Sequence, residues 1–457
     1  MSFLEQLGNF IWNPWLLGLF LLTGLYASVR TGFFQVFRWR LWIRTTAGAL
    51  FGRRKRRGGG GLTQLQALST ALASTIGTGS IAGVATAIFY GGPGAVFWMW
   101  ISAFLGMMTG CLEKTLAVRY RERSRDGGWQ GGPMCYMEHG LGSRFLAAWF
   151  SVCCVASSLC GGNMVQSNSI ATALEATFGW DRLGVGVVTA LLAGIVILGG
   201  IGRIGAVSEK LVPCMAALFL GGGVIVLICH AQTIPAALES VVTQALTPKA
   251  ALGGGAGYGM ASAMRYGVAR GVFTNEAGMG TSAMAHAASN VKEPAEQGMW
   301  GIFEVFVATL LVCSVSALVI LTSGVYQPQE ALKALAEGTV EPTMMGAPLS
   351  AAAFATVFGR WGGVLVSVCL LLFAFTSVLG CSYYGERGLE YLGGLRWRGA
   401  YRGLFLLAIV GGSVGDVAAV WQLTDVLNGL MALPNLCAIL LLSPQALGLL
   451  RKWVETR

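Results

Sequence analysis

The sequence predicts an all-α polytopic membrane protein of about eleven transmembrane helices, arranged as two inverted repeats of five helices (5+5) with one extra N-terminal helix. Three observations predict it. Hydrophobic residues make up 54% of the 457 positions and charged residues only 11%, against about a quarter charged in soluble globular domains. Windows of roughly 20 apolar residues recur to the end of the chain. Two of these windows, at corresponding positions in the two halves, are interrupted by glycines and polar residues.

Taken in order, the N-terminal "MSFLEQLGNF" has no basic n-region and no A-x-A-like cleavage site, so it is not read as a signal peptide. Spans are expected near 13–34, 62–90, 94–118, 145–173, 184–201, 206–230, 256–289, 296–323, 361–392, 401–418 and 420–447. The expected organisation is one transmembrane unit: residues 1–61 hold the extra helix and a basic cytoplasmic loop, 62–230 the first five-helix repeat, and 256–447 the second. Because each repeat has an odd number of spans, the second enters the membrane from the opposite face.

The net charge of +10 raises the question of nucleic acid, and the distribution of charge answers it. With the N-terminus outside, 24 of the 31 Lys and Arg fall on one side, four on the other (Arg182, Lys249, Lys333, Arg360), and three within helices (Lys114, Arg265, Arg270). That is the positive-inside bias. The densest run, "RRKRR" at Arg53 to Arg57, is read as a topology determinant near anionic headgroups. Eight of the eleven cysteines fall in spans (Cys111, Cys153, Cys154, Cys160, Cys214, Cys313, Cys369, Cys437) without metal-ligand spacing, and are read as small buried hydrophobes. His139, His230 and His286 fall at helix ends or in loops and do not cluster in the sequence, so no metal site is expected.

The first interruption is "STIGTGSIAG", Ser74 to Gly83, with three glycines and four hydroxyls. The second is "NEAGMGTS", Asn275 to Ser282. A broken membrane helix frees peptide groups that must be satisfied by protein, water or ligand. A half-helix ending near Ile76 offers carbonyls, and one beginning near Gly79 offers amides and the positive dipole end. A zwitterion suits that pair of ends. "GTGSIAG" also approaches a dinucleotide-binding fingerprint, but that motif needs a preceding strand and an acidic residue about 20 positions on. Here the flanks are membrane helix, and "FYGGPGAVFWMW" follows. Small residues at a helix crossing are the plainer alternative.

"LLLFAFTSVLGCSYYGE", Leu370 to Glu386, puts Thr376 and Ser377 in mid-span. With the carbonyls of Ala73, Ile76 and Phe373 they offer five neutral oxygens, which suits sodium better than a divalent ion. A proton would use an intramembrane carboxylate, and Glu276 and Glu304 are available. Glu276 is otherwise expected to pair with Arg270 or a helix amide, and Glu113 and Lys114 to be interfacial. In "GGNMVQSNS", Asn163, Gln166 and Asn168 should face inward, with Gln166 able to touch a ligand. Phe273, just before the second break, could close over it.

"GTGSIAGVATAIFYGGPGAVFWMW", "GGPMCYMEHGLG", "GVARGVFTNEAGMGTSAMAHAA" and "SYYGERGLEYL" resemble the alanine or glycine:cation symporter family, over about Gln64 to Tyr391. The resemblance implies a leucine-transporter-type fold and sodium-coupled uptake of small amino acids by alternating access. It assigns the cation to Ala73, Ile76, Phe373, Thr376 and Ser377, and the substrate carboxylate to Thr78 and Gly79. Gly77, Ser80, Gln166, Phe273, Thr274, Asn275, Gly278 and Cys381 complete the implied substrate set, with Asn275 to Gly278 as the second unwound segment. Two positions depart from the family pattern: Ser80 stands where Asn is usual, and Cys381 where Trp is usual. The first bears on a second cation site. The second predicts a roomier pocket, because an unfilled cavity costs ~24 cal/mol per Å3.

The expected function is therefore a sodium symporter importing a small neutral amino acid, alanine or glycine or something larger. The partners expected are amino acid, sodium and membrane lipid, with no nucleic acid, no obligate protein partner and no cofactor beyond Na+ as coupling ion. The expected setting is the inner (plasma) membrane of a prokaryote, N-terminus outside and C-terminus cytoplasmic. Proton coupling through Glu276 or Glu304 and a non-transporting amino acid receptor are the alternatives. No catalytic dyad or triad is present in the motifs, so an enzyme is not expected.

Overall fold

A computed structural model describes residues 3–50, 61–124, 127–246 and 259–457. The Arg53–Arg57 cluster and Lys249 lie outside the described residues. Among the described residues six helical stretches are long and apolar enough to cross a membrane, and shorter apolar helices accompany them. In chain order the bundle is built from α1 (Pro14–Arg30), α2 (Gln64–Thr75) with α3 (Ala82–Gly91), α4 (Gly94–Arg119), α5 (Arg144–Leu159) with α6 (Val165–Phe178), α7 (Arg182–Ile197) and α8 (Gly200–Cys229). The later ones are α9 (Met260–Asn275) with α10 (Thr281–Ala287), α11 (Pro294–Val305) with α12 (Ser314–Thr322), α13 (Arg360–Gly393), α14 (Arg398–Val414) and α15 (Ala418–Glu455).

Chain chemistry explains the boundaries. Helix α2 opens on a reciprocal cap, with Gln66 N–H donating to Thr63 Oγ1 and Thr63 N–H to Gln66 Oε1. Helix α15 runs on through Pro434 and Pro444 well past the expected end at 447. Short helices that the span pattern did not anticipate also form: Phe3–Ile11, Pro133–Leu141, Ile234–Leu246, Pro328–Glu337 and Gly346–Phe358. They are too short to cross lipid. The Pro133–Leu141 helix still carries ordinary sequence signals, Pro at its first position and Gly142 at φ +70° after its last.

Small residues let the rods approach closely. A Cβ on Gly267 would fall 2.3 Å from the Ala95 carbonyl, and one on Gly301 2.6 Å from that of Gly110. These contacts seat α9 and α11 on α4, which runs through the middle of the bundle. The opposite chemistry faces outward: Val188, Leu191, Leu192 and Ile195 of α7 are exposed, as lipid contact requires. Cys214 and Cys229 are exposed on α8, a departure for Cys214 from the buried reading, whereas Cys111, Cys153, Cys154, Cys313 and Cys369 are buried. At one end of the bundle, Glu386 accepts from Arg402 at 2.7 Å and pairs with Arg398 at 3.0 Å, tying α13 to α14.

Candidate substrate and cation site

The first break is real and short. Its last helical bond runs from Ile76 N–H to the Leu72 carbonyl at 2.8 Å. Gly77 is then extended (φ −110°, ψ −156°), Thr78–Ser80 make one tight turn, and α3 begins at Ala82. A Cβ at Gly77 would lie 2.5 Å from Ser377 Oγ, so any larger residue there would turn the Ser377 hydroxyl away. With glycine in place, Ser377 donates to the Ala73 carbonyl at 3.0 Å. One position earlier, Thr376 donates to the Phe373 carbonyl at 3.0 Å. Ala73, Ile76 and Phe373 share one buried cluster. Of the expected cation residues, Ser377 of α13 thus meets Ala73 where α2 unwinds, while Thr376 bonds to Phe373 within α13.

Beside them is a cavity of about 60 Å3, against the ~10–15 Å3 that one water needs. Of the expected substrate residues, Gly77, Gly79, Gln166, Phe273 and Cys381 line it, and so does Ser377. Thr78, Ser80, Thr274, Asn275 and Gly278 are buried behind that lining. Gly79 is held against the second break, since a Cβ there would meet Phe273 and Thr274 at 3.3 Å. The three amides expected to face inward divide. Asn163 donates to the Phe405 carbonyl at 2.6 Å and Asn168 to that of Gly412 at 3.0 Å, so both fasten α14. Gln166 alone lines the cavity; it follows a π-helical turn, Cys160–Met164, and its Oε1 is buried with no partner among the described residues.

The second break is held by protein at nearly every point. Glu276 takes a left-handed backbone (φ +53°), and Gly278 and Gly280 follow at +88° and +92°. Asn275 Oδ1 accepts from the Ala277 amide at 3.0 Å, and Thr281 donates to Glu276 Oε2 at 2.5 Å. Asn435 of α15 donates to the Gly278 carbonyl at 2.8 Å and to Glu113 Oε1 at 2.7 Å. Arg270 does not pair with Glu276; its guanidinium lies over the rings of Phe273 and Trp421 at 5.6 and 5.9 Å.

Below this break is a polar cluster that the sequence did not suggest. Glu113 and Lys114 are fully buried rather than interfacial, with Lys114 Nζ 3.0 Å from Glu113 and 3.4 Å from Glu304. His286 joins them, 3.1 Å from Glu304 Oε2 and 2.6 Å from Gln297. A lysine this deep in a bilayer is tolerable only with such partners. Also unforeseen are the cavity residues Ser74, Ser157, Ser158, Tyr384, Thr424 and Asn428. Ser157 donates to Asn428 Oδ1 at 2.5 Å, and Ser74 shares a hydrogen bond of 2.8 Å with Tyr384. "ASSLCGG" at 156–162 carried the same signal as the first break, hydroxyls and glycines in mid-span.

This arrangement has counterparts. Among solved structures, MhsT in complex with L-phenylalanine superposes with a TM-score of 0.54 at 12% identity, covering 84% of this chain and 90% of that one. A manganese transporter of Eremococcus coleocola gives 0.51 at 17% identity, covering 85% and 78%. Both share the leucine-transporter-type architecture expected from the sequence. Among curated proteins, the sodium/alanine symporter AgcS of Methanococcus maripaludis is 39% identical over 97% of this chain and 95% of its own. The probable sodium/glutamine symporter GlnT of Bacillus subtilis is 34% identical over 98% and 90%. The profile described as the Sodium:alanine symporter family matches residues 1–457. This chain thus belongs to the sodium:alanine symporter family, as a multi-pass, cation-coupled amino acid transporter and not an enzyme.

Proposed function

We propose that the protein is a sodium-coupled symporter importing neutral amino acids by alternating access. Sodium is held by the carbonyls of Ala73, Ile76 and Phe373 and the hydroxyls of Thr376 and Ser377. The substrate carboxylate takes the loosened amides at Thr78 and Gly79, Gln166 meets its polar end, and Phe273 closes over it. The observation that carries this reading is the Ser377–Ala73 contact at 3.0 Å, beside a cavity that Ser377 and Gly77 both line. One helix break thereby serves cation and substrate together, and linkage makes each tighten the other.

The substrate class extends beyond alanine and glycine. Cys381 lines the cavity, and Gly162 packs so closely on it that a Cβ there would lie 2.4 Å from the Cys381 Cβ, so this stretch of the wall is built from small atoms. Ser157, Ser158, Thr424 and Asn428 surround the cavity with hydroxyl and amide groups. A neutral side chain longer than methyl and able to hydrogen-bond fits there. The relatives named for alanine and for glutamine support a range of this kind.

Uptake into proteoliposomes against glycine, alanine and glutamine, driven by sodium, lithium or a proton gradient in turn, tests the reading. Accumulation should require sodium, and Thr376→Ala should abolish the sodium dependence while the protein still folds. An unchanged sodium response in that variant removes the cation site. Strict preference for glycine removes the enlarged pocket. The setting we propose is a prokaryotic inner membrane with the N-terminus outside, which single-cysteine labelling from each side would check.

A further inference from the structure

The segment that follows α1 presents two unlike faces. It carries two short helices, Phe34–Phe37 and Trp39–Thr45. Phe34, Gln35, Trp42, Thr45 and Thr46 are buried. Gln35 donates to Ser28 Oγ of α1 at 2.9 Å, Trp42 Nε1 donates to the Gln35 carbonyl at 3.0 Å, and the Trp42 ring lies 5.8 Å from that of Phe306. That face is fastened to the bundle. On the other, Phe37 is 76% exposed, Trp39 50% and Val36 45%, and Arg38, Arg40 and Arg44 are exposed among them.

The exposed charges are of one sign. No Asp or Glu occurs between Glu5 and Glu113 in the sequence. None of the three arginines has an acidic partner among the described residues. Arg40 and Arg44 stand four apart on one helix, so they are neighbours on its surface, and like charges at that spacing repel. Arg40 lies over the Trp39 ring at 5.4 Å. Exposed rings beside guanidinium groups match the boundary of a bilayer, where the rings enter the acyl region and the charges reach the headgroups. The positive-inside pattern puts this segment on the cytoplasmic side, whose leaflet carries anionic lipid. A phosphate set between two guanidinium forks replaces their repulsion with charge-assisted hydrogen bonds.

We propose that this segment is a binding site for one anionic phospholipid of the cytoplasmic leaflet. The phosphate lies between Arg40 and Arg44, Arg38 adds attraction for a net negative headgroup, and Phe37 and Trp39 enter the acyl region. Occupation holds the segment in place. Through Trp42 on Phe306 it also steadies the π-helical stretch Phe306–Cys313, where Thr309 accepts from Asn275 of the second break at 3.3 Å. The lipid touches neither cation nor substrate, so it acts on the rate of the cycle and not on affinity. The leaflet assignment rests on the N-terminus lying outside, as proposed above.

Native mass spectrometry of the full chain in detergent, titrated with phosphatidylglycerol or phosphatidylcholine, tests the site. One phosphatidylglycerol should bind more tightly than phosphatidylcholine. The double variant Arg40→Gln with Arg44→Gln should weaken it about fivefold for each arginine lost, and Arg40→Lys with Arg44→Lys should fall in between. Both positions are exposed, so the variants stay folded. In phosphatidylglycerol proteoliposomes the double glutamine variant should transport alanine at the lower maximal rate that the parent shows in phosphatidylcholine, with KM and half-saturating sodium unaltered. Equal binding of the two lipids by the parent overturns the site, and so does a double glutamine variant that keeps the preference. Displacement of phosphatidylglycerol by inorganic phosphate would make it a site for a free anion and overturns the lipid. A maximal rate unmoved by the double variant overturns the link through Trp42. The leaflet fails separately: if single-cysteine labelling places the segment outside, the lipid is not cytoplasmic even where phosphatidylglycerol binds.

Discussion

In the first break, Thr75 Oγ1 and Thr78 Oγ1 are buried with no partner among the described residues, and Gln166 Oε1 across the cavity has none there either. In the second, Asn275, Glu276 and the Gly278 carbonyl all have partners, drawn from the segment itself and from Asn435. Both are interruptions of a membrane helix, so both must have their loosened polar groups satisfied. The second achieves this with protein at nearly every point, Ser282 Oγ being the exception. The first leaves groups for something that arrives. Under the proposed function the difference gives them separate work: the first break would receive cation and substrate, and the second would be a prebuilt platform beside the Glu113–Lys114–Glu304–His286 cluster.

The strongest way to break this comparison is to remove the charge under the second break. Lys114→Met leaves Glu113 and Glu304 buried without their cation, at a cost of about 3–5 kcal/mol. Denaturation in detergent should show that loss, and adding Glu304→Gln should recover part of it. Full stability in Lys114→Met would mean the platform does not depend on the cluster. Gly278→Ala comes next. Its left-handed φ of +88° costs a side-chain-bearing residue about 1–2 kcal/mol, and its Cβ would also press on Leu436 at 2.7 Å. Stability should fall while half-saturating sodium holds. Gly77→Ala reverses that signature. Its Cβ would displace Ser377 Oγ, which can rotate away, so the protein stays folded. Half-saturating sodium should rise about tenfold, equivalent to about 1.4 kcal/mol. A stability loss without a sodium effect would make the first break structural too.

How much of this the sequence disclosed follows the reach of each signal. The breaks were legible because glycines and hydroxyls interrupt apolar runs locally, and the Thr376–Ser377 pair because hydroxyls in mid-span are conspicuous. The polar cluster was not, because its members come from three helices and the contact of His286 with Glu304 depends on how those helices pack. Glu113 and Lys114 read as interfacial because counting residues from a span's end cannot show that another helix encloses it. Arg270 and Glu276 looked like partners on charge alone. Six residues turn roughly 240° around a helix, and Glu276 has already left α9, so the two side chains diverge. The serines and Asn428 of the cavity meet only through the packing of α5 on α15.

The smallest expected effect is the finest test of the comparison. Ser74 at the first break donates to the Ala71 carbonyl at 2.9 Å and so accepts from Tyr384 at 2.8 Å. Thr281 at the second donates to Glu276 at 2.5 Å. Each is one hydroxyl on the cavity wall. Removing Ser74 as Ser74→Ala strands only a neutral phenol facing a polar chamber, where water or substrate can take its proton. Interhelical hydrogen bonds in membrane average about 0.6 kcal/mol, so stability should barely move and KM for alanine should change no more than about threefold. Thr281→Val instead withdraws a donor from a buried carboxylate, which costs about 1–3 kcal/mol. Parallel denaturation curves should separate the two variants in that order. Equal losses would mean that the second break is as open to solvent as the first, and the division of labour between them would fall.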